Sequence, residues 1–155
     1  MDHLLPHLTS NVFRSLPGFE LLALCTLLLV LKMHAVGLWT GVVRSRHGHR
    51  VNPEDAKSYG GQAVGVEHPD VERGLRSHRN DVENIPPFLL LALVAVLAGA
   101  HPDVVRGCLV AFTFARFVYS LAYQYSVQPW RSLCWGLGLL ATLVLAGALA
   151  ARLWS

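Results

Sequence analysis

The sequence predicts an all-α integral membrane protein, a four-helix bundle formed by a single domain over residues 1–155. A chain of 155 residues favours one domain. Its composition is 53% hydrophobic and only 15% charged, whereas about a quarter of the residues in a soluble domain are charged. The apolar residues also gather into four runs long enough to cross a bilayer.

The first predicted span covers about residues 19–43. At about 1.5 Å per residue this segment crosses a hydrocarbon core of about 30 Å. Lys32 lies inside the apolar run, so it either faces the bundle and pairs with an acid or extends towards the interface. Gly37 and Gly41 are four residues apart and would allow another helix to approach closely.

Residues 1–17 predict a loose or interfacial terminus rather than a removed signal peptide, because no basic region leads into an apolar core and a cleavage site. We expect its His3 and His7 to be exposed to solvent. The three cysteines lie inside apolar runs without the close spacing of a metal or redox motif. We therefore expect buried free thiols and no metal site.

The polar connection over residues 44–72 is the longest in the chain. Asn52-Pro53 is a turn signal, and Pro53 suits the first position of a short helix. The second span, at about residues 70–98, is expected to have Asp70 as its N-cap. Pro86 and Pro87 would kink this helix rather than end it, since neighbouring helices can satisfy the freed carbonyls.

The third span is predicted at about residues 104–125, after an N-cap at Asp103. Arg116, Tyr119 and Tyr123 share one face of it, which indicates a polar pocket. An aromatic belt at the membrane interface is the alternative explanation for Tyr123.

The fourth span covers about residues 130–152. Pro129 precedes it, and Arg131 and Ser132 occupy its first turn.

Basic residues concentrate in the connection between the first two spans, and Arg131 lies in the third connection on the same side. The positive-inside rule then places both connections in the cytoplasm and both termini across the membrane. This topology accounts for the net charge of +3 without nucleic acid as a partner.

The polar residues of the second span suit a small anionic ligand. Arg73, Arg76, Asn80 and Glu83 are spaced to share a helix face. Arginine binds carboxylates with a planar fork, and Glu83 would bind an amine. Glutathione, with two carboxylates and one amine, fits this pattern, although spacing alone does not identify the ligand.

If the glutathione thiol lies near Arg131, the guanidinium and the helix N-terminus both favour the thiolate. Ser132 would donate a hydrogen bond to the sulfur.

Three stretches carry a resemblance that covers nearly the whole chain: Asn52-Pro53-Glu54-Asp55, the second-span motif from Asp70 to Phe88, and Ala115 to Tyr123 with Arg131-Ser132. The sequence resembles the MAPEG family, the membrane-associated proteins in eicosanoid and glutathione metabolism. It is most similar to the branch of the microsomal glutathione transferases and prostaglandin E synthases. The resemblance implies a homotrimer with glutathione bound between subunits near the cytoplasmic face.

The resemblance also implies roles for particular residues. Arg131 and Ser132 would activate the thiol, and Asp55 matches an acidic loop residue that interacts with that arginine. Arg44 would come from the neighbouring subunit. The remaining glutathione contacts would be Arg76, Arg79, Asn80, Glu83, Tyr119 and Tyr123.

Two residues depart from the family pattern at the second-substrate end of the site. Tyr119 stands where these branches usually have histidine, and Trp135 stands where the prostaglandin synthase has tyrosine. The connection before Arg131 is also one residue shorter than in the synthase. These changes bear on the prostaglandin assignment more than on glutathione binding.

The leading hypothesis is a membrane glutathione transferase, in which the thiolate attacks a lipophilic electrophile or hydroperoxide that enters from the bilayer lipid. The first alternative is a glutathione-dependent isomerase of the prostaglandin E synthase type. The second is a non-catalytic membrane protein that binds a regulator. The expected location is the endoplasmic reticulum of a eukaryote or the inner membrane of a bacterium, with the active site on the cytoplasmic side.

Overall fold

The computed structural model describes residues 15–155 and is helical almost throughout. Its long helices are α1 (Phe19–His47), α3 (Pro69–Leu97), α4 (Pro102–Gln124) and α5 (Gln128–Leu153). Each of the four is long and apolar enough to cross a membrane, and the four lie where the sequence predicted helices. The expectations for His3 and His7 lie outside the described residues.

The connection between α1 and α3 contains a short helix and a minimal sheet. The helix is α2 (Pro53–Tyr59), with Pro53 in its first turn as the sequence indicated. The strands β1 (His49–Arg50) and β2 (Gln62–Ala63) pair in parallel, with His49 opposite Gln62. This pairing brings residues 62–63 back beside residues 49–50, next to the end of α1.

The first span extends four residues beyond its predicted end at Val43, so Arg44 lies inside the helix. Arg44, Arg46 and His47 occupy the last turn of α1, where positive charge complements the helix dipole. The helix ends at Gly48, whose φ of 64° is left-handed and suits a residue without a Cβ.

Two predicted N-caps are wrong. The structure has His68 before α3 and His101 before α4, and places Asp70 and Asp103 inside the first turns. In both cases proline is the first helical residue, because its fixed φ suits the helix and its missing N–H is not needed there. The Nδ1 atom of His68 accepts a hydrogen bond from the backbone N–H of Asp70 at 3.3 Å.

The apolar core joins all four long helices. The rings of Phe88 and Phe112 stack with centroids 3.6 Å apart, and Leu29 and Leu145 pack into the same cluster. Helix α3 continues through Pro86 and Pro87 rather than ending there, as expected, and the kink at these prolines stays a prediction. All three cysteines are buried free thiols, again as expected.

Lys32 faces the bundle, which settles the alternative that the sequence left open. Its ammonium donates to the carboxylate of Asp81 on α3, and both side chains are buried. Removing either partner would leave a buried charge alone, and the pair thus fixes the register of α1 against α3.

One end of the bundle collects the polar residues. Helices α1 and α4 end there, and α3 and α5 begin there. The Nη1 atom of Arg73 donates to the carbonyl of Gln124 at 3.4 Å, and His47 lies against Asp70. We call the end formed by His47, Pro69, Gln124 and Gln128 the basic end.

Candidate functional site

A pocket of about 480 Å³ lies at the basic end. We call it the basic pocket, and its lining residues are Arg73, Arg76, Tyr123, Ser126, Gln128 and Arg131. Three guanidinium groups and no carboxylate line it. Such a lining favours an anionic ligand, since arginine binds carboxylates through a planar fork of N–H donors.

Helix α3 supplies two of the arginines from its first two turns. The Nη1 atom of Arg76 donates to Glu72 at 2.9 Å, and both side chains are largely exposed. The Nη2 atom of Arg73 lies 4.0 Å from Asp70. Exposed ion pairs of this kind contribute little stability, so a ligand carboxylate can replace the acidic partner at small cost.

Helix α5 supplies Arg131 from its own N-terminus. A turn through Ser126, with a φ of 60°, reverses the chain after α4 and brings the start of α5 beside Tyr123. The Cζ atom of Arg131 lies 4.9 Å from the centroid of the Tyr123 ring, a cation–π distance. The free N–H groups of this first turn add positive potential beside the guanidinium.

Beneath the basic pocket lies a buried guanidinium. Arg116 on α4 is 1% exposed, and its Nη1 donates to Oδ1 of Asn80 at 2.7 Å. The same guanidinium lies over the rings of Phe112 and Tyr119, at 5.0 and 5.6 Å from their centroids. The side chains of Asn80 and Tyr119 therefore contact Arg116 below the pocket.

Helix α5 passes closely over this guanidinium because residue 138 is glycine. A Cβ atom at Gly138 would lie 2.8 Å from Nη2 of Arg116. Several buried polar atoms in this layer have no hydrogen-bond partner within residues 15–155, among them Nε of Arg116 and the hydroxyls of Ser77 and Ser120. Unpaired buried polar groups of this kind are sites where water or a ligand atom binds favourably.

The basic pocket brings together four of the residues singled out from the sequence, namely Arg73, Arg76, Tyr123 and Arg131. Arg79, Glu83 and Ser132 are exposed, and the structure gives their side chains no ion pair or hydrogen bond within its described part. The pocket gains Ser126 and Gln128, which the sequence did not indicate.

Arg44 and Asp55 lie outside the basic pocket. The Nη2 atom of Arg44 pairs with Glu67 in the connection before α3. Asp55 lies in α2 and accepts a hydrogen bond from Asn52 at 3.1 Å. Neither residue lines the basic pocket of its own chain.

Comparison with known proteins places this geometry in context. Residues 22–151 match the model of the MAPEG family. The chain is 45% identical over 123 residues to prostaglandin E synthase of Bos taurus, covering 79% of this chain and 78% of the relative. It is 40% identical over 128 residues to the prostaglandin E synthase of Homo sapiens, covering 82% and 84%.

Microsomal glutathione S-transferase 1 of Homo sapiens is a more distant match. It is 32% identical over 120 residues, covering 74% of this chain and 77% of the relative. The region that matches the family model includes the whole of α3 and α4, all but the outer ends of α1 and α5, and both arginine-bearing helix starts.

Proposed function

The chain belongs to the MAPEG family, and on that premise we propose that it is a glutathione-dependent membrane enzyme, a transferase or an isomerase. The observation that carries the proposal is the basic pocket. It combines two arginines at the start of α3 with a third arginine at the N-terminus of α5. This arrangement has separate positions for a carboxylate and for a thiolate.

Glutathione fits the pocket in size and charge. Ligand sites usually enclose about 300–1,000 Å³, and the basic pocket encloses about 480 Å³. Arg73 and Arg76 would bind its carboxylates. Arg79 and Glu83 are exposed one and two turns further along α3, where they would bind further charged groups of the same molecule.

When bound, glutathione would supply a thiolate that attacks a lipophilic substrate. The chain's contribution is electrostatic: Arg131 and the first-turn N–H groups of α5 stabilise negative charge on the sulfur. Ser132 would donate a hydrogen bond to the same atom. The ring of Tyr123 helps to hold the guanidinium of Arg131 in place through a cation–π contact.

Some observations favour the isomerase reaction and others favour the transferase reaction. Identity is higher to the prostaglandin E synthases, at up to 45%, than to the microsomal glutathione S-transferase, at 32%. This difference favours isomerisation of an endoperoxide with glutathione regenerated. Trp135, which stands where the synthase has tyrosine, weighs against that assignment and favours a transferase that consumes glutathione, whereas Tyr119 replaces a histidine usual in both branches and does not separate them.

The proposal includes a homotrimer in which Arg44 and Asp55 act across a subunit boundary. Neither residue reaches the basic pocket of its own chain, and Arg44 is held by Glu67. A neighbouring copy would use Arg44 to complete the glutathione site and Asp55 to interact with Arg131. We place the basic end in the cytoplasm, at the endoplasmic reticulum in a eukaryote or the inner membrane in a bacterium.

The proposal is tested by glutathione titration of the purified full chain in detergent, followed calorimetrically. We expect a dissociation constant between about 1 μM and 1 mM, equivalent to about −8 to −4 kcal/mol. Arg76→Ala should weaken binding. Arg106→Ala is the matched control, because Arg106 forms a similar exposed pair with Asp103 at the far end of the bundle. If wild type gives no heat at glutathione concentrations several times above about 1 mM, the proposal is contradicted.

Product analysis then separates the two reactions. An aryl halide and a prostaglandin endoperoxide are each incubated with enzyme and glutathione, and free thiol is counted against product. Stoichiometric loss of thiol identifies a transferase, whereas endoperoxide isomerisation at constant thiol identifies an isomerase. Turnover of neither substrate would contradict the enzyme assignment.

The trimer has a test of its own. We expect native mass spectrometry in mild detergent to show three chains per particle, and Arg44→Ala to weaken glutathione binding without changing that number. A monomeric wild-type protein with full glutathione affinity would contradict the shared site.

A further inference from the structure

Three polar groups converge at the basic end outside the basic pocket. His47 ends α1, while His68 and Asp70 begin α3. The Nε2 atom of His47 lies 3.5 Å from Oδ2 of Asp70, and Nδ1 of His68 lies 3.6 Å from the same oxygen. Their three candidate ligand atoms all lie within 4.8 Å of one another.

These distances suit a tetrahedral metal ion. With metal–nitrogen and metal–oxygen bonds of about 2.0–2.2 Å, neighbouring ligand atoms of a tetrahedral site lie about 3.4 Å apart. The two nitrogen–oxygen distances, 3.5 and 3.6 Å, are close to that separation. The two rings stack with centroids 3.5 Å apart and planes 16° from parallel, so binding an ion requires one imidazole to turn until both nitrogens point at it.

The partners of the cluster leave one carboxylate oxygen for an ion. Nδ1 of His68 accepts from the backbone N–H of Asp70 at 3.3 Å, and an ion at this nitrogen would take the place of that bond. Oδ1 of Asp70 faces Arg73, at 4.0 Å, while Oδ2 faces the two imidazoles. The carboxylate can thus keep its arginine partner and still offer an oxygen to an ion.

A third imidazole stands beside the cluster. The rings of His47 and His68 stack with centroids 3.5 Å apart, and the ring of His49 meets His68 edge-on at 6.0 Å. His49 belongs to β1, next to the end of α1. The three ligand atoms that lie within 4.8 Å of one another do not include one of His49, so water would be the fourth ligand.

We propose that His47, His68 and Asp70 bind a divalent transition-metal ion of the zinc class. Two imidazoles and a carboxylate are a usual zinc ligand set, and they do not suit magnesium or calcium, which prefer oxygen ligands throughout. The ion would tie the end of α1 to the start of α3 and close the connection that carries β1, α2 and β2. The proposal is independent of the reaction that the enzyme catalyses.

The test is zinc binding by the full chain in detergent, purified with a histidine-free tag and stripped with chelator. A background variant, His3→Gln with His7→Gln, removes the histidines of the N-terminal segment. Zn²⁺ is titrated against a competing chromophoric chelator, and Co²⁺ reports coordination geometry by its visible absorption. We expect one ion per chain, with the spectrum of a tetrahedral cobalt site.

Variants locate the ion. His47→Gln and His68→Asn should each weaken zinc binding at least about tenfold, the lower bound of what even an outer-shell partner contributes. Asparagine at position 68 can still cap α3, so the loss would not reflect an unfolded helix start. His101→Gln is the control, because His101 is exposed beside the first turn of α4 without a side-chain capping bond.

The proposal is overturned if zinc binding is absent, if either cluster variant weakens it less than tenfold, or if His101→Gln weakens it equally. Glutathione affinity measured in the same samples keeps this outcome separate from the proposed enzyme activity.

Discussion

Asn80 has a structural role beneath the basic pocket. Its Oδ1 accepts the one side-chain hydrogen bond that the structure gives to the buried guanidinium of Arg116 within residues 15–155. The family resemblance assigns Asn80 to glutathione, but in the single chain its carbonyl oxygen is already bound. A buried charge that loses its hydrogen-bond acceptor is costly.

We therefore expect Asn80→Ala to lower the free energy of unfolding by about 1–3 kcal/mol when this is measured in the absence of glutathione. Arg79→Ala is the control on the same helix, since Arg79 is exposed. Asn80→Asp should retain the acceptor and most of the stability. Denaturant titration in mixed micelles measures all three, and equal stabilities of Asn80→Ala and Arg79→Ala would contradict the structural role.

Some residues at the basic end could be identified from the sequence, and others could not. Arg76 could be identified because it shares a helix face with Asn80 and Glu83, and Arg131 because it lies with Ser132 in the first turn of the fourth span, in a motif that resembles the family. Ser126 and Gln128 lie in an irregular turn, where no periodicity marks a lining residue. The cluster of His47 and His68 was equally hidden, since twenty-one positions separate the two rings that stack in the structure.

At the scale of elements, α1 and α3 approach closely where Gly74 meets Thr40. A Cβ atom at position 74 would overlap Oγ1 of Thr40 and lie 3.0 Å from its Cγ2. Thr40 is held by its own bond to the carbonyl of Val36, at 2.8 Å. Small residues permit such close contact between membrane helices.

Gly74→Ala should accordingly destabilise the bundle by about 1–3 kcal/mol, the usual cost of overpacking. Gly147→Ala is the matched control, because nothing lies within 4 Å of the added methyl. Thr40→Ala combined with Gly74→Ala should recover part of the loss by removing the clashing atoms. If Gly74→Ala is as stable as Gly147→Ala in the same unfolding assay, the close approach is wrong.

The helices were predictable because each apolar run is long and bounded by proline or glycine. Their starts were less so. Asp70 and Asp103 are typical N-caps, yet Pro69 and Pro102 immediately precede them as the first helical residues and set the N-caps two residues earlier, at His68 and His101. The partner of Lys32 also needed the structure, because only packing selects Asp81 among the acids of α3.

At the scale of the whole molecule, the basic pocket, the histidine cluster and α2 belong to the same side of the four spans. Positive residues concentrate in the cytoplasmic connections of membrane proteins, and this asymmetry carries our assignment of that side to the cytoplasm. The orientation decides which compartment supplies glutathione.

We expect Lys57→Cys to react with an impermeant maleimide only from the cytoplasmic side of sealed vesicles, and Ser155→Cys only from the other side. Both positions are exposed, whereas the three native cysteines are buried and provide an unlabelled background. The opposite pattern of labelling would invert the topology.

The central claim is that Arg131 and the start of α5 hold glutathione as its thiolate. Thiolate absorbance of the glutathione-saturated protein, titrated against pH, measures this directly. We expect wild type to show a thiol pKa below the ordinary value of about 8.5. Arg131→Ala should raise that pKa and slow conjugation, while Arg73 and Arg76 preserve glutathione affinity; Arg131→Lys should fall between, having the charge without the planar fork. An Arg131→Ala protein with the wild-type titration and the wild-type rate would contradict the claim.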